Sequence, residues 1–397
     1  MPPKLSICVP SRNRQIYCME TIRALTASTR TDVQFVLSDN SDEPDVMRDF
    51  IASLPDARIV FLASPSKTLS MIDNWERTVA ASTGDWITVI GDDDYLDCDL
   101  AALLTRIDAT LPEIEALEWS NLSYSWPDPP RDIPTNADIV LGNRLHLLPK
   151  QIVQRRAFQW EDAKVSPIGG FSIYHSAISR RLLDRIKQVC NGRTFEHPVV
   201  DFDFAFKAAL VGNGFALSDR PFSVLGACPK SNSASLRDPV LVRQRNADFM
   251  AELGRNLDAD SSARDFPFPS WLGVPATVMH VHLALRARHK VTVSGWEQAF
   301  VRSCVNNCEE HRDRAMFDIV TDAYRSGFAR WQNGRFLRQF NPQFNEAAAG
   351  ATDVFSGFSN GKLYISMPLL NAQTPAEFFA CVSALVPSVD RIDLDIR

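Results

Sequence analysis

The sequence predicts an α/β fold built on a mostly parallel sheet, followed by a largely helical C-terminal region. Short apolar runs alternate with helical periodicity through the first 100 residues. Two acid-rich clusters, at Asp39 and at Asp92–Asp94, each directly follow an apolar run. From residue 236 to residue 397 nearly all of the patterns are helical. These three observations together define the predicted fold class.

The N-terminal elements follow from apolar runs and the residues that interrupt them. Pro10 ends the first strand because proline cannot donate to a β-ladder, and Gly84 separates a helix from the next strand. The predicted elements are a strand at Leu5–Val9, a helix at Tyr17–Thr29, strands at Val33–Leu37 and Ile59–Leu62, a helix at Leu69–Ala81 and a strand at Trp86–Ile90.

The middle of the chain mixes helix and strand signals and contains a long proline-rich loop, Trp126–Pro134. Loops of this length are often functional. The other predicted elements are a helix at Leu100–Thr110, a strand at Leu117–Tyr124, a glycine-rich segment at Ile168–Ser172, a helix at Ser179–Val189 and an acidic segment, Val199–Phe204, that opens a further helix.

A change of composition to a loop at Cys228–Ser233 marks a domain boundary. We therefore predict one domain at residues 1–235 and a mostly helical accessory domain at residues 236–397. Its predicted elements are helices at Val240–Leu253, Val278–His289, Glu297–Val305, Arg312–Tyr324 and Pro375–Leu385, with a short β-like stretch at Lys362–Ser366.

Composition excludes several classes of protein. The chain carries 42 Lys plus Arg against 48 Asp plus Glu, a formal net charge of −6, so no basic surplus exists for binding a nucleic-acid backbone. No apolar run reaches the roughly 18 residues of a membrane helix, and the N-terminus lacks the apolar core of a signal peptide. We expect a cytoplasmic protein, associated at most peripherally with the inner face of the membrane. The eight scattered cysteines are expected to be reduced thiols.

The two acidic clusters are expected to share one cleft. Ligands of open α/β sheets bind outside the carboxyl ends of the strands, where Asp39 and Asp92–Asp94 are predicted to lie. Adjacent carboxylates repel one another, and a divalent cation with oxygen ligands would compensate them. The alternative is a solvated turn that caps the helix beginning near Asp97.

Three motifs in order resemble glycosyltransferase family 2. They are Leu5-Ser6-Ile7-Cys8-Val9-Pro10-Ser11-Arg12-Asn13-Arg14, then Val36-Leu37-Ser38-Asp39-Asn40-Ser41, then Gly84-Asp85-Trp86-Ile87 leading to Gly91-Asp92-Asp93-Asp94. The resemblance covers about residues 4–230. It implies the GT-A fold, a Rossmann-like nucleotide-binding domain with a metal-dependent Asp-x-Asp motif.

The resemblance also assigns residues to a nucleotide and a metal ion. Pro10, Arg12 and Asn13 match the segment that frames the nucleotide, and Asp39 matches the aspartate that holds the base, commonly uracil. Asn74 and Asp92 complete the implied nucleotide set. Asp92, Asp93 and Asp94 are the implied ligands of Mg²⁺ or Mn²⁺; Gly91 stands where many members have the first aspartate, so the choice among the three stays open.

The implied acceptor side lies further along the chain. Asp201 matches the family's catalytic base, although Val200 replaces the usual preceding glutamate, and Asp203 is the second candidate. Both could instead cap a helix and complement its dipole. The segment containing Gly170, Phe171 and His175 resembles the acceptor-side segment, while a satisfied histidine is the alternative for His175.

The expected function is a metal-dependent inverting glycosyltransferase. It would move a sugar from a nucleotide-sugar, with UDP favoured, to a saccharide or glycolipid acceptor in surface polysaccharide biosynthesis. Self-association through the C-terminal domain is a further expectation. The rival prediction is a non-catalytic nucleotide- or sugar-binding protein on the same fold. A sugar nucleotidyltransferase fits less well, because Pro10-Ser11-Arg12-Asn13 is not a glycine-rich phosphate loop.

Overall fold

The computed structural model of the chain describes residues 2–127, 137–167, 170–231, 239–254, 256–346, 356–365 and 372–395. Most of the predicted proline-rich loop, Ile168-Gly169, Asn232-Ser233 and Ser366 lie outside the described residues.

The N-terminal part alternates strands and helices as predicted, with one helix that the sequence analysis did not anticipate. This extra helix begins at Pro44, a residue whose fixed φ suits the first turn. The Ser70 side chain caps the third helix by accepting from the Asp73 N–H. The elements are β1 (Leu5–Ser11), α1 (Gln15–Thr26), β2 (Val33–Asp39), α2 (Pro44–Ala52), β3 (Ile59–Leu62), α3 (Met71–Ala80) and β4 (Trp86–Val89).

The middle of the chain corrects one prediction, because the single strand expected at Leu117–Tyr124 is two strands in different sheets. The polar pair Ser120-Asn121 separates them, and each half pairs with different neighbours. The elements are β5 (Tyr95–Leu96), α4 (Leu100–Thr110), β6 (Ala116–Trp119), β7 (Leu122–Ser125), β8 (Ala137–Val140), β9 (Leu145–Leu148), α5 (Lys150–Phe158), β10 (Ser176–Ser179), α6 (Arg180–Val189), α7 (Val200–Val211), β11 (Phe215–Ser218) and β12 (Ser223–Ala227).

The C-terminal part is largely helical over its described residues, as predicted. The elements are α8 (Pro239–Leu253), α9 (Val274–His289), α10 (Glu297–Glu309), α11 (Arg314–Arg330), β13 (Gly357–Ser359), β14 (Lys362–Ile365) and α12 (Pro375–Ser383).

An eight-stranded sheet in the order β3-β2-β1-β4-β10-β6-β11-β9 forms the centre of the molecule. Strands β3, β2, β1 and β4 are mutually parallel, whereas β10 and β9 run antiparallel to their neighbours. In the parallel part Ser11 lies opposite Asp39, and Cys8 lies opposite Val89. The carboxyl ends of β1, β2 and β4 therefore meet at one edge. The α/β fold class is confirmed.

Helices cover both faces of this sheet. Leu5, Ile7 and Val9 point into one core, shared with α1 and α4, whereas Cys8 points into the other. This second core contains α5 and α7, and it continues into α9, α10 and α11. Helices α9, α10 and α11 are thus packed on the same core as the acid-bearing helix α7. The domain division at residue 235 stays a prediction.

Two three-stranded sheets flank the main sheet, in the orders β5-β12-β7 and β13-β14-β8. Helix α12 packs on the first of them through Phe378 and Phe379, which share a small core with Tyr124 and Val224. None of the eight cysteines forms a disulfide, and all but Cys381 are buried. Burial accounts for these thiols as core residues.

Candidate active site

The loops that follow β1, β2 and β4 are tied together at the carboxyl edge of the sheet. Ser11 Oγ donates to Asp92 Oδ2 at 2.7 Å, which joins the end of β1 to the loop after β4. The Asn13 N–H donates to Ser41 Oγ at 2.8 Å and joins the same segment to the loop after β2. The structure therefore brings the two acidic clusters to one edge, as the sequence predicts.

Asp94 is the most completely bonded of the three consecutive carboxylates. Its Oδ2 accepts from the Tyr174 hydroxyl at 2.8 Å and the Gly91 N–H at 2.6 Å, and lies 2.8 Å from His175 Nε2. The Gly226 N–H donates to Oδ1 at 2.7 Å. Burial acts to raise the pKa of Asp94, but His175 and these hydrogen bonds outweigh it and lower the pKa. In this arrangement Asp94 fixes the turn after β4, which differs from its predicted role as a metal ligand.

Asp92 and Asp93 instead turn an oxygen toward a common cation, the guanidinium of Arg14. Arg14 Nη2 lies 2.6 Å from Asp92 Oδ1, and Nη1 lies 3.3 Å from Asp93 Oδ1. The other oxygen of Asp93 accepts from the Cys228 N–H at 3.1 Å. Burial raises the pKa of both carboxyl groups, and the neighbouring Asp94 raises both further. This pair is the part of the cluster that can hold a cation.

Asp39 lies at the end of β2 with one oxygen bonded and one free. Its Oδ1 accepts from the Ser41 hydroxyl at 2.6 Å and the Ser41 N–H at 3.1 Å. Its Oδ2 is buried and has no hydrogen-bond partner among the described residues. Burial raises the pKa of Asp39. A buried acceptor without a donor is costly, so this oxygen is suited to an N–H group of a ligand.

Asn74 and Arg77 form the wall beside Asp39. Ser38 Oγ and Arg77 Nε donate to Asn74 Oδ1 at 2.7 and 3.0 Å, and Arg77 also donates to the Asp39 backbone carbonyl. Asn74 is therefore close to Asp39, but its carbonyl oxygen already accepts two hydrogen bonds.

The remaining residues of the predicted nucleotide set hold the end of β1. Pro10 lies within β1 opposite Ser38. Asn13 adopts a positive φ of 55° and its side chain donates to Asp42 at 2.9 Å. Arg12 extends the other way, to Glu252 of α8 at 2.5 Å. These contacts place all three residues at the rim of the cleft.

Asp201, at the start of α7, lines a cavity of about 140 Å³ together with Gly170, Ser172 and Phe202. Burial raises its pKa, and no cation pairs with it among the described residues. A carboxylate in this state accepts a proton more readily than an exposed one. The chemistry available to Asp201 is that of a general base.

Asp203, the second candidate base, is occupied by structural contacts. Its Oδ2 accepts from Lys207 Nζ and from the Glu196 N–H, both at 2.7 Å. The ion pair is buried, since the Lys207 and Asp203 side chains are 2% and 4% exposed. Asp203 therefore holds the segment that precedes α7, and the structure does not open it to a substrate.

The predicted acceptor-side residues separate into two groups. Gly170 lines the cavity with a positive φ of 45°, and a Cβ there would lie 1.7 Å from a Glu118 carboxylate oxygen. Phe171 is buried and packs on Phe215, with ring centroids 4.9 Å apart. His175 is buried between Asp94 and Ser223. Phe171 and His175 are thus internal residues, contrary to an acceptor contact.

Arg14, Arg77 and Tyr174 are site residues that the sequence analysis missed. Arg14 belongs to the quoted Arg12-Asn13-Arg14 segment, so its position was available. Its pairing with carboxylates nearly 80 residues away depends on the parallel register of β1 and β4. Lys207, four residues after Asp203 on one helix, was a readable signal of an i,i+4 ion pair.

No helix of the described residues is both long enough and apolar enough to cross a bilayer.

Comparison with known proteins gives a family and several distant structural likenesses. The profile of "Glycosyl transferase family 2" matches residues 6–183. No curated protein matches the chain. Among solved structures, S. aureus TarS in complex with UDP-GlcNAc is 14% identical, covers 86% of this chain and 97% of its own, and has a TM-score of 0.45. The mannosyltransferase PcManGT from Pyrobaculum calidifontis, in complex with GDP-Man and Mn²⁺, is 16% identical, with coverages of 86% and 84% and a TM-score of 0.39.

The family match spans the strands and helices that build the acidic cleft, from β1 to α6. It includes Asp39, the Asp92–Asp94 cluster and Gly170, and it ends before Asp201. The order of parallel strands and the placement of the acidic loops agree with the GT-A class that the sequence predicts. Residues 6–183 therefore form a glycosyl transferase family 2 region, which makes the protein a glycosyltransferase.

Proposed function

We propose that the chain is a metal-dependent, inverting glycosyltransferase that transfers a sugar from a UDP-sugar to a saccharide or glycolipid acceptor, in surface polysaccharide biosynthesis. The observation that carries this proposal is the free, buried Oδ2 of Asp39 at the same sheet edge as the Asp92–Asp93 pair. The first feature is suited to a nucleobase and the second to the cation of a diphosphate.

Asp39 limits the bases that can occupy the cleft. An ionised carboxylate only accepts hydrogen bonds, so the base must present an N–H on the edge that faces it. Uracil, thymine and guanine carry a ring N–H there, whereas the corresponding ring nitrogen of cytosine is an acceptor. S. aureus TarS was crystallised with UDP-GlcNAc and PcManGT with GDP-Man. The short side chains around Asp39, Ser38 and Ser41, suit a small ring with one N–H, as in uracil and thymine, and of these two we propose uracil.

Asp92 and Asp93 would hold the divalent cation, Mg²⁺ or Mn²⁺. Their oxygens already face one cationic group, and hard carboxylate ligands fit both ions. When bound, such an ion neutralises the charge that develops on the departing diphosphate. Asp94 keeps the turn in place through its four contacts.

Asp201 would remove the proton from the acceptor hydroxyl. It lies in a cavity of its own on α7, and its raised pKa strengthens it as a base. Direct attack by the activated hydroxyl, with the nucleotide leaving from the opposite face of the sugar, inverts the anomeric carbon.

Calorimetry with UDP, GDP, CMP and dTDP, each with and without Mn²⁺, tests the proposal. We expect UDP to bind most tightly and to need Mn²⁺ for full affinity. The variant Asp39→Asn should weaken UDP binding at least tenfold, since the amide replaces an acceptor with a donor at one of its two positions. Asp45→Asn, an exposed change on α2, is the matched control.

Equal binding of CMP and UDP, or an Asp39→Asn protein with normal UDP affinity, would contradict the assignment of the base pocket. Binding without any transfer or donor hydrolysis would support the non-catalytic alternative.

A further inference from the structure

Arg14 occupies the place between Asp92 and Asp93 that a cation of the proposed reaction would need. The guanidinium reaches both carboxylates, at 2.6 Å and 3.3 Å, from the residue that precedes α1. Its end of the helix is the positive end of the helix dipole, which disfavours a cation there. The carboxylates, not the helix, therefore account for the position of Arg14.

The Arg14 side chain is more exposed than the two carboxylates that it contacts. The side chains of Asp92 and Asp93 are 0% and 4% exposed, whereas that of Arg14 is 22% exposed. Both aspartates are fixed from other directions, Asp92 by Ser11 and Asp93 by the Cys228 N–H. Within the described part of the chain, the Arg14 guanidinium is held by these two carboxylates and by a 4.0 Å contact with Cys228 Sγ. Of the three groups, Arg14 is the one that can move without disturbing the fold.

We propose that Arg14 is the resident counter-cation of Asp92 and Asp93, and that it must leave them before a divalent cation can bind there. This inference rests on the proposed function for the kind of cation that replaces it. Two adjacent buried carboxylates need a positive partner when no metal ion is present, and the guanidinium supplies it. If Arg14 left without a replacement, the charges of the two carboxylates would be uncompensated. The guanidinium and a divalent cation therefore compete for the same carboxylate oxygens.

The exchange has a consequence for the order of binding. A guanidinium that leaves two carboxylates needs another anion, and a diphosphate offers bidentate oxygen acceptors that suit arginine. Metal ion and nucleoside diphosphate should therefore assist each other: the metal ion frees Arg14, and the diphosphate stabilises it in its new place. Mn²⁺ alone should bind weakly, because nothing compensates the displaced guanidinium.

Mn²⁺ binding to the full chain, measured by the electron paramagnetic resonance signal of free Mn²⁺, tests this exchange without any need for turnover. Titrations of wild type, Arg14→Gln and Arg14→Lys are made with and without saturating UDP. The Arg14→Gln protein should bind Mn²⁺ alone at least tenfold more tightly than wild type, and UDP should improve its Mn²⁺ affinity much less. Arg23→Gln, which removes one arginine from the exposed face of the same helix, should match wild type.

The Arg14→Lys variant provides a second test in case the Arg14→Gln protein folds poorly. A lysine ammonium lacks the planar fork that reaches both carboxylates at once, so we expect its Mn²⁺ affinity without UDP to lie severalfold above that of wild type. Mn²⁺ affinities of both variants within twofold of wild type would overturn the exchange. Such a result with normal UDP binding would leave the proposed function intact. Tighter Mn²⁺ binding to Arg14→Gln, with no nucleotide bound by any variant, would support the exchange and refute the proposed donor.

Discussion

At the scale of single residues, Asp201 and Asp203 show how neighbouring carboxylates on one helix acquire different roles. Asp203 forms an ion pair with Lys207, one turn later, and accepts a hydrogen bond from a backbone N–H. Both contacts stabilise the fold. Asp201, two residues earlier, has no cation partner among the described residues and faces a cavity. Asp201, which is not neutralised by a described cation, is therefore the carboxylate that can exchange a proton with a substrate.

Replacing Asp201 with asparagine should therefore reduce sugar transfer and leave the donor site unchanged. We expect a rate loss of about 10²- to 10⁴-fold, the usual contribution of a general base. UDP affinity in the presence of Mn²⁺ should stay within about twofold, because the proposed nucleotide contacts lie at the ends of β1, β2 and β4 and not on α7. Donor turnover by chromatography and UDP binding by calorimetry measure the two effects. Asp184→Asn, an exposed change on α6, serves as the control, and a parallel loss of UDP affinity in Asp201→Asn would point to a structural role.

The convergence of Asp39 with Asp92–Asp94 was predictable from sequence, because strand ends of a parallel sheet share an edge. The sequence did not predict which of these carboxylates are bonded within the fold and which can contact a ligand. Three of the four contacts that distinguish Asp94 from Asp93, those with Tyr174, His175 and the Gly226 N–H, come from segments 80 or more residues away. Arg14 reaches its carboxylates for the same reason. Local pattern shows which residues are chemically competent, whereas tertiary contacts decide which of them remain free.

At the scale of elements, the segment that leads into α7 is fixed by an ion-pair cluster around Glu196. Lys207 lies 3.2 Å from Glu196, and Arg288 and His289 of α9 each lie 3.0 Å from it. Cys190 lies 3.9 Å from His289 and completes the group. With Lys207 and Arg288 already present, these contacts compensate Glu196 without a metal ion. The cluster connects the helix that carries Asp201 to the C-terminal helices.

Glu196→Gln should destabilise the protein in a pH-dependent way. Burial acts to raise the pKa of Glu196, but Lys207, His289 and Arg288 outweigh it and lower the pKa to about 2. A depressed folded-state pKa contributes stability that is fully present above the unfolded value, roughly 4.3, and is lost as pH falls through the folded value. We expect a loss of about 2 kcal/mol in the free energy of unfolding at pH 7, by analogy with other broken ion-pair clusters.

Urea denaturation at pH 7 and at pH 3 measures this effect. The difference between wild type and Glu196→Gln should be smaller at pH 3, where the unfolded chain already binds the proton. Glu20→Gln, which removes an exposed i,i+3 pair on α1, should change stability little at either pH. A difference that is unchanged between the two pH values would show that Glu196 acts through packing instead of charge.

Strands that are apolar runs were predictable, whereas strands defined mainly by their pairing partners were not. The parallel strands β1, β2 and β4 are nearly continuous apolar runs, as expected for strands buried on both faces. Strand β10 has only four residues, Ser-Ala-Ile-Ser, and its antiparallel place between β4 and β6 follows from pairing partners that no local pattern encodes. The same is true of the break between β6 and β7.

At the scale of the whole molecule, one core joins the acid-bearing part of the chain to the C-terminal helices. Phe300 of α10 lies at its centre: its ring centroid is 5.6 Å from that of Trp160, which follows α5, and 5.4 Å from that of Phe268. Phe206 of α7 stacks on His282 of α9, with centroids 5.2 Å apart. The parts of the chain before and after residue 235 therefore share buried aromatic surface.

Limited proteolysis with size-exclusion chromatography tests this arrangement. From the loop composition we expect the first cleavage near residue 235, and because α9 and α10 pack on α5 and α7, the two fragments should elute together. In a Phe300→Ala protein the lost packing should cost about 3–5 kcal/mol, as for other buried aromatic residues, so the nicked fragments should separate. Ile319→Ala, an exposed apolar residue on α11, is the matched control and should leave them associated.

A first cleavage within residues 20–120 would contradict the predicted boundary. Separation of the wild-type fragments would instead show that the shared core is too weak to hold the two parts together without the covalent link.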